Sequence, residues 1–208
     1  MNAQYFLLRV RTAGLLGSAN LEQDFDHSDA CLFCGAGARP VPPLRADLAR
    51  MGKKPLDLTA HDGHVVLTRA LADELQAAGF TGFHIQPVIG RSPRIHADAF
   101  RWLQITFVWP RLAPSSHLAV EDLCPVCERA GHFDVYPSGT QLVYSMVGGT
   151  PPDFGLTWEC FGVWRVRAAA GRRPVGGAQY ILVSDRARDA LDRLRRRYIT
   201  FDPVSVSL

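Results

Sequence analysis

Two Cys-x-x-Cys pairs, Cys31-Leu32-Phe33-Cys34 and Cys124-Pro125-Val126-Cys127, stand 89 residues apart in a chain of 208. A two-residue spacer lets one tight turn aim both sulfurs at a single point, and two such turns supply the four thiolates of a tetrahedral zinc site. Cys31, Cys34, Cys124 and Cys127 are therefore expected to hold one structural Zn²⁺ that ties distant parts of the chain together. A four-thiolate shell is closed and leaves no position for water or substrate, so the pattern is architectural rather than catalytic. Thioredoxin-like redox chemistry needs one pair at a helix N-terminus, where the thiol pKa is depressed. Neither pair here is followed by a helical pattern.

The remaining composition excludes several classes. Apolar residues make up 47% and charged residues 21%, as in an ordinary globular protein, and the length is enough to bury a full core. The net charge is only +3, from 23 basic and 20 acidic residues, which is not the excess of a dedicated nucleic-acid binder. No basic leader precedes the short apolar run Tyr5 to Val10, and no segment reaches the ~18 apolar residues of a membrane span. A cytoplasmic protein is expected, in a reducing compartment that favours thiolates on a metal over disulfides. Cys160 then remains as a small core residue on an apolar strand.

The chain also contains an internal repeat. Aligning Thr68 with Ser184 brings Leu75 onto Leu191, Ile85 onto Phe201, Pro87 onto Pro203 and Val88 onto Val204 without a gap. Each copy reads as strand, helix, strand. An apolar run ends at a hydroxyl that can cap the helix, about three helical turns follow, and a returning β-rich run stops at proline. One Cys pair precedes each copy. The expected fold is α+β, one compact unit over residues 1–208. It comprises mixed sheets built from two related strand–helix–strand halves, about 1–112 and 113–208, with a zinc knuckle formed by the two distant Cys pairs. Outside the repeat, Tyr5–Val10, Phe100–Trp109 and Thr157–Val166 read as strands, and Leu44, Leu48 and Met51 are spaced for a short helix.

Other chemistry is sparse. There is no phosphate-cradling Gly-rich loop with Lys-Ser/Thr, no His-Glu-x-x-His and no Gly-x-Ser-x-Gly elbow, so an enzyme is not expected. Arg193, Arg195, Arg196 and Arg197 fall in the last turn of a predicted helix, where cations offset the macrodipole. Glu22, Asp24, Asp26 and Asp29 form the one acidic patch, read as a solvated loop. His132, five residues past Cys127, is a group near the knuckle rather than a ligand.

The two Cys motifs, the segment Val-Leu-Thr-Arg-x-Leu that leads to Phe-Thr-Gly-Phe, and the C-terminal Leu-Val-Ser-Asp-Arg-Ala-x-x-Ala-Leu together resemble the double-CXXCG family of myxobacteria. The family's members are immunity proteins against swarm-inhibition toxins passed between kin. The resemblance implies a cytoplasmic, zinc-binding protein whose partner is a cognate toxin protein, with toxin neutralisation and not catalysis as its function. The first motif continues with Gly35 as in the family, but the second continues with Glu128. Glycine there would give the turn its positive φ, so Glu128 makes the second knuckle harder to build without removing a ligand. The alternative is a zinc-ribbon nucleic-acid-binding protein, which salt-dependent affinity would reveal.

Overall fold

A computed structural model describes residues 4–10, 23–46, 57–61, 64–90, 97–116, 120–133, 142–145, 149–161, 178–193 and 199–207. Along the chain these form strands β1 (Tyr5–Val10), β2 (Phe25–Asp26), β3 (Arg39–Pro40), β4 (Leu44–Ala46), β5 (Leu58–His61) and β6 (His64–Thr68). Helix α1 (Arg69–Ala77) and strands β7 (Phe83–Gly90), β8 (Phe100–Ile105), β9 (Val120–Glu121) and β10 (Ala130–Phe133) follow. The last part comprises β11 (Val143–Ser145), β12 (Phe154–Leu156), β13 (Cys160–Phe161), β14 (Ile181–Ser184), helix α2 (Asp185–Asp192) and β15 (Ile199–Ser207).

The architecture is mixed α and β, with two mixed five-stranded sheets. One has the order β4-β7-β8-β6-β5 and the other β11-β15-β1-β14-β12. In the first, β8 is antiparallel to both neighbours, β4 is parallel to β7, and β5 is antiparallel to β6. In the second, β1 is antiparallel to both neighbours, β11 is parallel to β15, and β12 is antiparallel to β14.

Period-2 alternation assigns each strand's side chains to two cores. Phe6 and Leu8 of β1, Val65 and Leu67 of β6, Leu103 of β8 and Ile181 and Val183 of β14 share one cluster with Leu71 and Leu75 of α1 and Leu191 of α2. Tyr5 and Leu7 point the other way, against Trp109, Tyr144, Leu182 and Val204. Val66, Phe100 and Trp102 occupy the reverse face of the first sheet with Leu44 and Val88. A fourth, separate cluster contains the cysteines.

Both helices begin as the sequence indicates. Thr68 Oγ1 accepts a hydrogen bond from Leu71 N–H at 3.4 Å, and Ser184 Oγ accepts one from Ala187 N–H at 3.2 Å, each satisfying a donor that the first turn leaves open. The returning strands do not stop at proline. β7 runs through Pro87 to Gly90 and β15 through Pro203 to Ser207. Each is tolerated because the outer neighbour pairs only beyond it, β4 from Val88 and β11 from Ser205.

Three further expectations differ in part. Leu44–Ala46 is strand, not the start of a helix, because Leu44 and Ala46 alternate inward around exposed Arg45; Leu48 and Met51 lie outside the described residues. The strand expected over Phe100–Trp109 ends at Ile105, and that expected over Thr157–Val166 begins only at Cys160, with residues 162–166 outside the described residues. Helix α2 ends at Asp192, so Arg193 is its C-cap and not part of its last turn, while Arg195, Arg196 and Arg197 are not described. No helix among the described residues is long and apolar enough to cross a membrane.

Candidate metal centre

Each Cys pair sits at the tip of a short β-ribbon. The first knuckle lies between β2 and β3, paired through Phe25↔Pro40 and Asp26↔Arg39; the second lies between β9 and β10, paired through His132↔Glu121 and Phe133↔Val120. The turns are built alike. Gly35 N–H donates to Cys31 O at 2.8 Å, and Glu128 N–H donates to Cys124 O at 3.0 Å. Cys31 N–H closes the first loop on Ala36 O at 2.9 Å, and Cys124 N–H closes the second on Ala130 O at 2.8 Å. The N–H two residues past the second cysteine points at its sulfur in both, Ala36 to Cys34 Sγ and Arg129 to Cys127 Sγ, each at 3.4 Å.

Both turns therefore need the same left-handed residue after the second cysteine. Gly35 adopts φ 76° at no steric cost, whereas Glu128 adopts φ 56° with a Cβ in place. The glutamate makes an ion pair with Arg111 at 2.8 Å, but both groups are more than half exposed, so the pair offsets little of the strain. Glu128→Gly is expected to stabilise the folded protein by about 1 kcal/mol, read as a higher melting midpoint at unchanged metal content. A lower midpoint would show that the carboxylate is needed.

The two knuckles bring their four sulfurs together. Cys31 Sγ and Cys124 Sγ are 4.0 Å apart, Cys34 Sγ and Cys127 Sγ 3.6 Å, and all four lie within 4.8 Å of one another. All are free thiols. A tetrahedron with ~2.3 Å metal–sulfur bonds has edges of roughly 3.8 Å, so these separations suit a four-thiolate metal site. The sequence-predicted ligands are thus brought together as a set, and the cluster can hold a metal ion.

Electrostatics points the same way. Cys34 is fully buried, and its thiol is pushed up by burial and by the competing sulfurs around it. Burial likewise raises Cys127. Burial opposes ionisation of Cys31 too, but the N–H groups of Cys34 and Phe33 and the neighbouring thiols outweigh it and bring that thiol to about 7. Without a cation the four sulfurs cannot all ionise in so small a space. A divalent metal reverses that balance and makes four thiolates the preferred state.

Several residues that the sequence did not single out brace the cluster. Arg129 lies across the turn of the first knuckle, where a Cβ on Gly37 would come within 2.7 Å of its guanidinium and 2.8 Å of Asp29 O. Arg129 Nε donates to Trp158 O at 3.2 Å, and the Trp158 ring has Arg111 and Arg129 guanidinium carbons 5.5 and 5.3 Å from its centre. Cys160, buried as expected, adjoins the cluster without joining the four; its N–H donates to Arg129 O at 2.7 Å. His132 lies in β10, and its side chain is outside the described residues. Of the acidic patch, Asp24, Asp26 and Asp29 are exposed as a solvated loop should be; Glu22 is not described.

Beside Trp158, Glu159 is a buried carboxyl. Its Oε1 accepts from Leu112 N–H at 2.8 Å and its Oε2 from Tyr144 Oη at 3.4 Å. Burial raises its pKa, and these two donors and the charge of Arg111 oppose the rise without cancelling it. Between the ordinary carboxylate range and that raised value, the folded state retains a proton that the unfolded chain has released. Stability therefore falls as pH rises through this interval and is level above it. Glu159→Gln is expected to match the parent below about pH 4 and to melt higher at neutral pH, in a series of thermal melts across that range.

Neither a protein-family model nor a curated protein matches the chain.

Proposed function

We propose that this chain is a binding protein braced by structural zinc, an immunity protein of the double-CXXCG type that occupies and neutralises a cognate inter-bacterial toxin in the cytoplasm. The reading starts from the resemblance of the two Cys motifs, and the four-cysteine cluster is compatible with it. Zinc bound by Cys31, Cys34, Cys124 and Cys127 would have a complete shell, which supports recognition rather than turnover. The same cluster would fix the knuckle tips, whose side chains point outward: Leu32 is 86% exposed, Val126 66% and Phe33 52%. Exposed apolar side chains on a rigid support suit contact with another protein.

The chain is read further as two related halves. The matching strand arrangement of the two sheets and the matching turns of the two knuckles support that reading. The nucleic-acid alternative gains little from the one aromatic group beside the cluster. Trp158 already contacts two arginines and is only partly exposed, so it makes a poor stacking platform for a base.

The test is expression of the protein in a sensitive host together with the toxin candidate encoded beside it. Survival and a one-to-one complex on co-purification are the expected result. Loss of protection in a Cys31→Ser, Cys34→Ser double variant would connect the metal to the function. No rescue and no complex would remove the immunity reading, and a salt-dependent affinity for DNA or RNA would put the alternative in its place.

A further inference from the structure

The central strand of each five-stranded sheet lies outside the strand–helix–strand unit that flanks it: β8 follows that unit in the chain and lies between β6 and β7, whereas β1 comes from far upstream and lies between β14 and β15. The two positions correspond residue for residue. Phe100 faces Thr68, the cap of α1, and Tyr5 faces Ser184, the cap of α2. On the opposite flank Arg101 faces Pro87, and Phe6 faces Pro203. From β1 the chain runs through a strand, a knuckle between two ribbon strands, two outer strands, and then strand, helix, strand. From β8 it runs through the same order again, with β13 as the one added element among the described residues.

We infer that the chain consists of two halves, β1–β7 and β8–β15, that have exchanged their leading strands, so that each half's sheet is completed by the other's first strand. The inference rests on the reading of the chain as two related halves and adds to it that neither half is a folding unit alone. The slot between β14 and β15 is in effect a binding site for an extended apolar strand. Tyr5, Phe6, Leu7 and Leu8 fill it, all buried, facing two cores alternately and pairing along both edges. Phe100, Trp102 and Leu103 fill the matching slot between β6 and β7 and are equally buried. Helix contacts follow the exchange, since α1 packs on β8 and α2 on β1. A half deprived of its partner would expose a cleft with two unpaired edges, which a strand from the other half, or from a second copy of itself, would close. The division falls between Gly90 and Phe100.

A recognition sequence for a specific protease, inserted within residues 91–96 of the full chain, lets the folded protein be cut once between β7 and β8. The two pieces are expected to co-elute at the mass of the intact 22.9 kDa chain with an unchanged circular-dichroism spectrum, in EDTA as well as in zinc. Separation in EDTA would overturn the inference, because the metal alone would then have held the pieces together. The pieces prepared individually give a second readout. Each is expected to be unfolded or self-associated alone and to fold when the two are mixed; either piece folding as a monomer would overturn the exchange. Self-association of the first piece supports both the exchange and the relation between halves. Folding only on mixing supports the exchange and counts against that relation alone.

Discussion

Removing the metal from the zinc-loaded protein with a chelator is expected to lower its melting midpoint sharply, and Cys34→Ser should reproduce the loss in the presence of zinc. Cys34 is fully buried, its sulfur accepts a hydrogen bond from Ala36 N–H, and it faces Cys127 at 3.6 Å, so serine there removes a ligand from the interior of the cluster. Structural zinc in small modules contributes about 10–16 kcal/mol of binding free energy, and even half of that is comparable with the whole stability of an ordinary domain. The largest loss should fall on the β2–β3 and β9–β10 ribbons, whose pairing is only two residue pairs each in register. The sheets have cores of their own and should retain protection in hydrogen exchange. Replacing zinc with cobalt should give the visible absorption of a tetrahedral four-thiolate site. Coincident melts of metal-free and metal-loaded protein would end the structural-zinc reading.

Gly82→Ala should be the most damaging single substitution away from the cysteines. Gly82 has φ 94°, and a Cβ there would overlap the carbonyl oxygen of Phe154 and approach Pro152 Cβ to 3.1 Å. The position is a seam between the sheets. Phe154 N–H donates to Thr81 O at 3.1 Å, Thr106 N–H donates to Gly82 O at 2.9 Å, and Asp153 accepts from both the N–H and the hydroxyl of Thr81. The obstruction is backbone and cannot rotate away, so a loss of about 4 kcal/mol is expected in denaturant unfolding. Gly79→Ala is the control. It has a comparable φ of 68° with nothing within 4 Å of the new Cβ, and should cost only about 1 kcal/mol. Equal losses for the two would show that strain, and not the seam, governs this turn.

What the sequence disclosed was mostly local. A two-residue spacer between cysteines is a statement about one turn, and the pairs Cys31/Cys34 and Cys124/Cys127 do converge. The caps Thr68 and Ser184 were legible for the same reason, since a hydroxyl ahead of an amphipathic run acts within three residues. Helical spacing misled at Leu44, because Leu44–Ala46 draws its conformation from β7, more than forty residues away in the chain. Glu159 and Trp158 gave no signal, because Leu112, Tyr144, Arg111 and Arg129 reach them only through the tertiary fold. Glu128 was visible as a departure from glycine, and the structure adds that the turn keeps the left-handed geometry in spite of it.

The place of β1 also sets a schedule for the chain during synthesis. Tyr5–Leu8 leave the ribosome long before their partners Ile181–Ser184 and Phe201–Val204. At ~5–20 residues per second, this apolar strand waits roughly 10 to 40 seconds for its slot to exist. Through that interval it is four consecutive buried-type residues with no neighbour, the kind of segment that aggregates or recruits a chaperone. Protein yield should therefore depend on translation speed and chaperone supply more steeply than the stability of the finished fold would suggest.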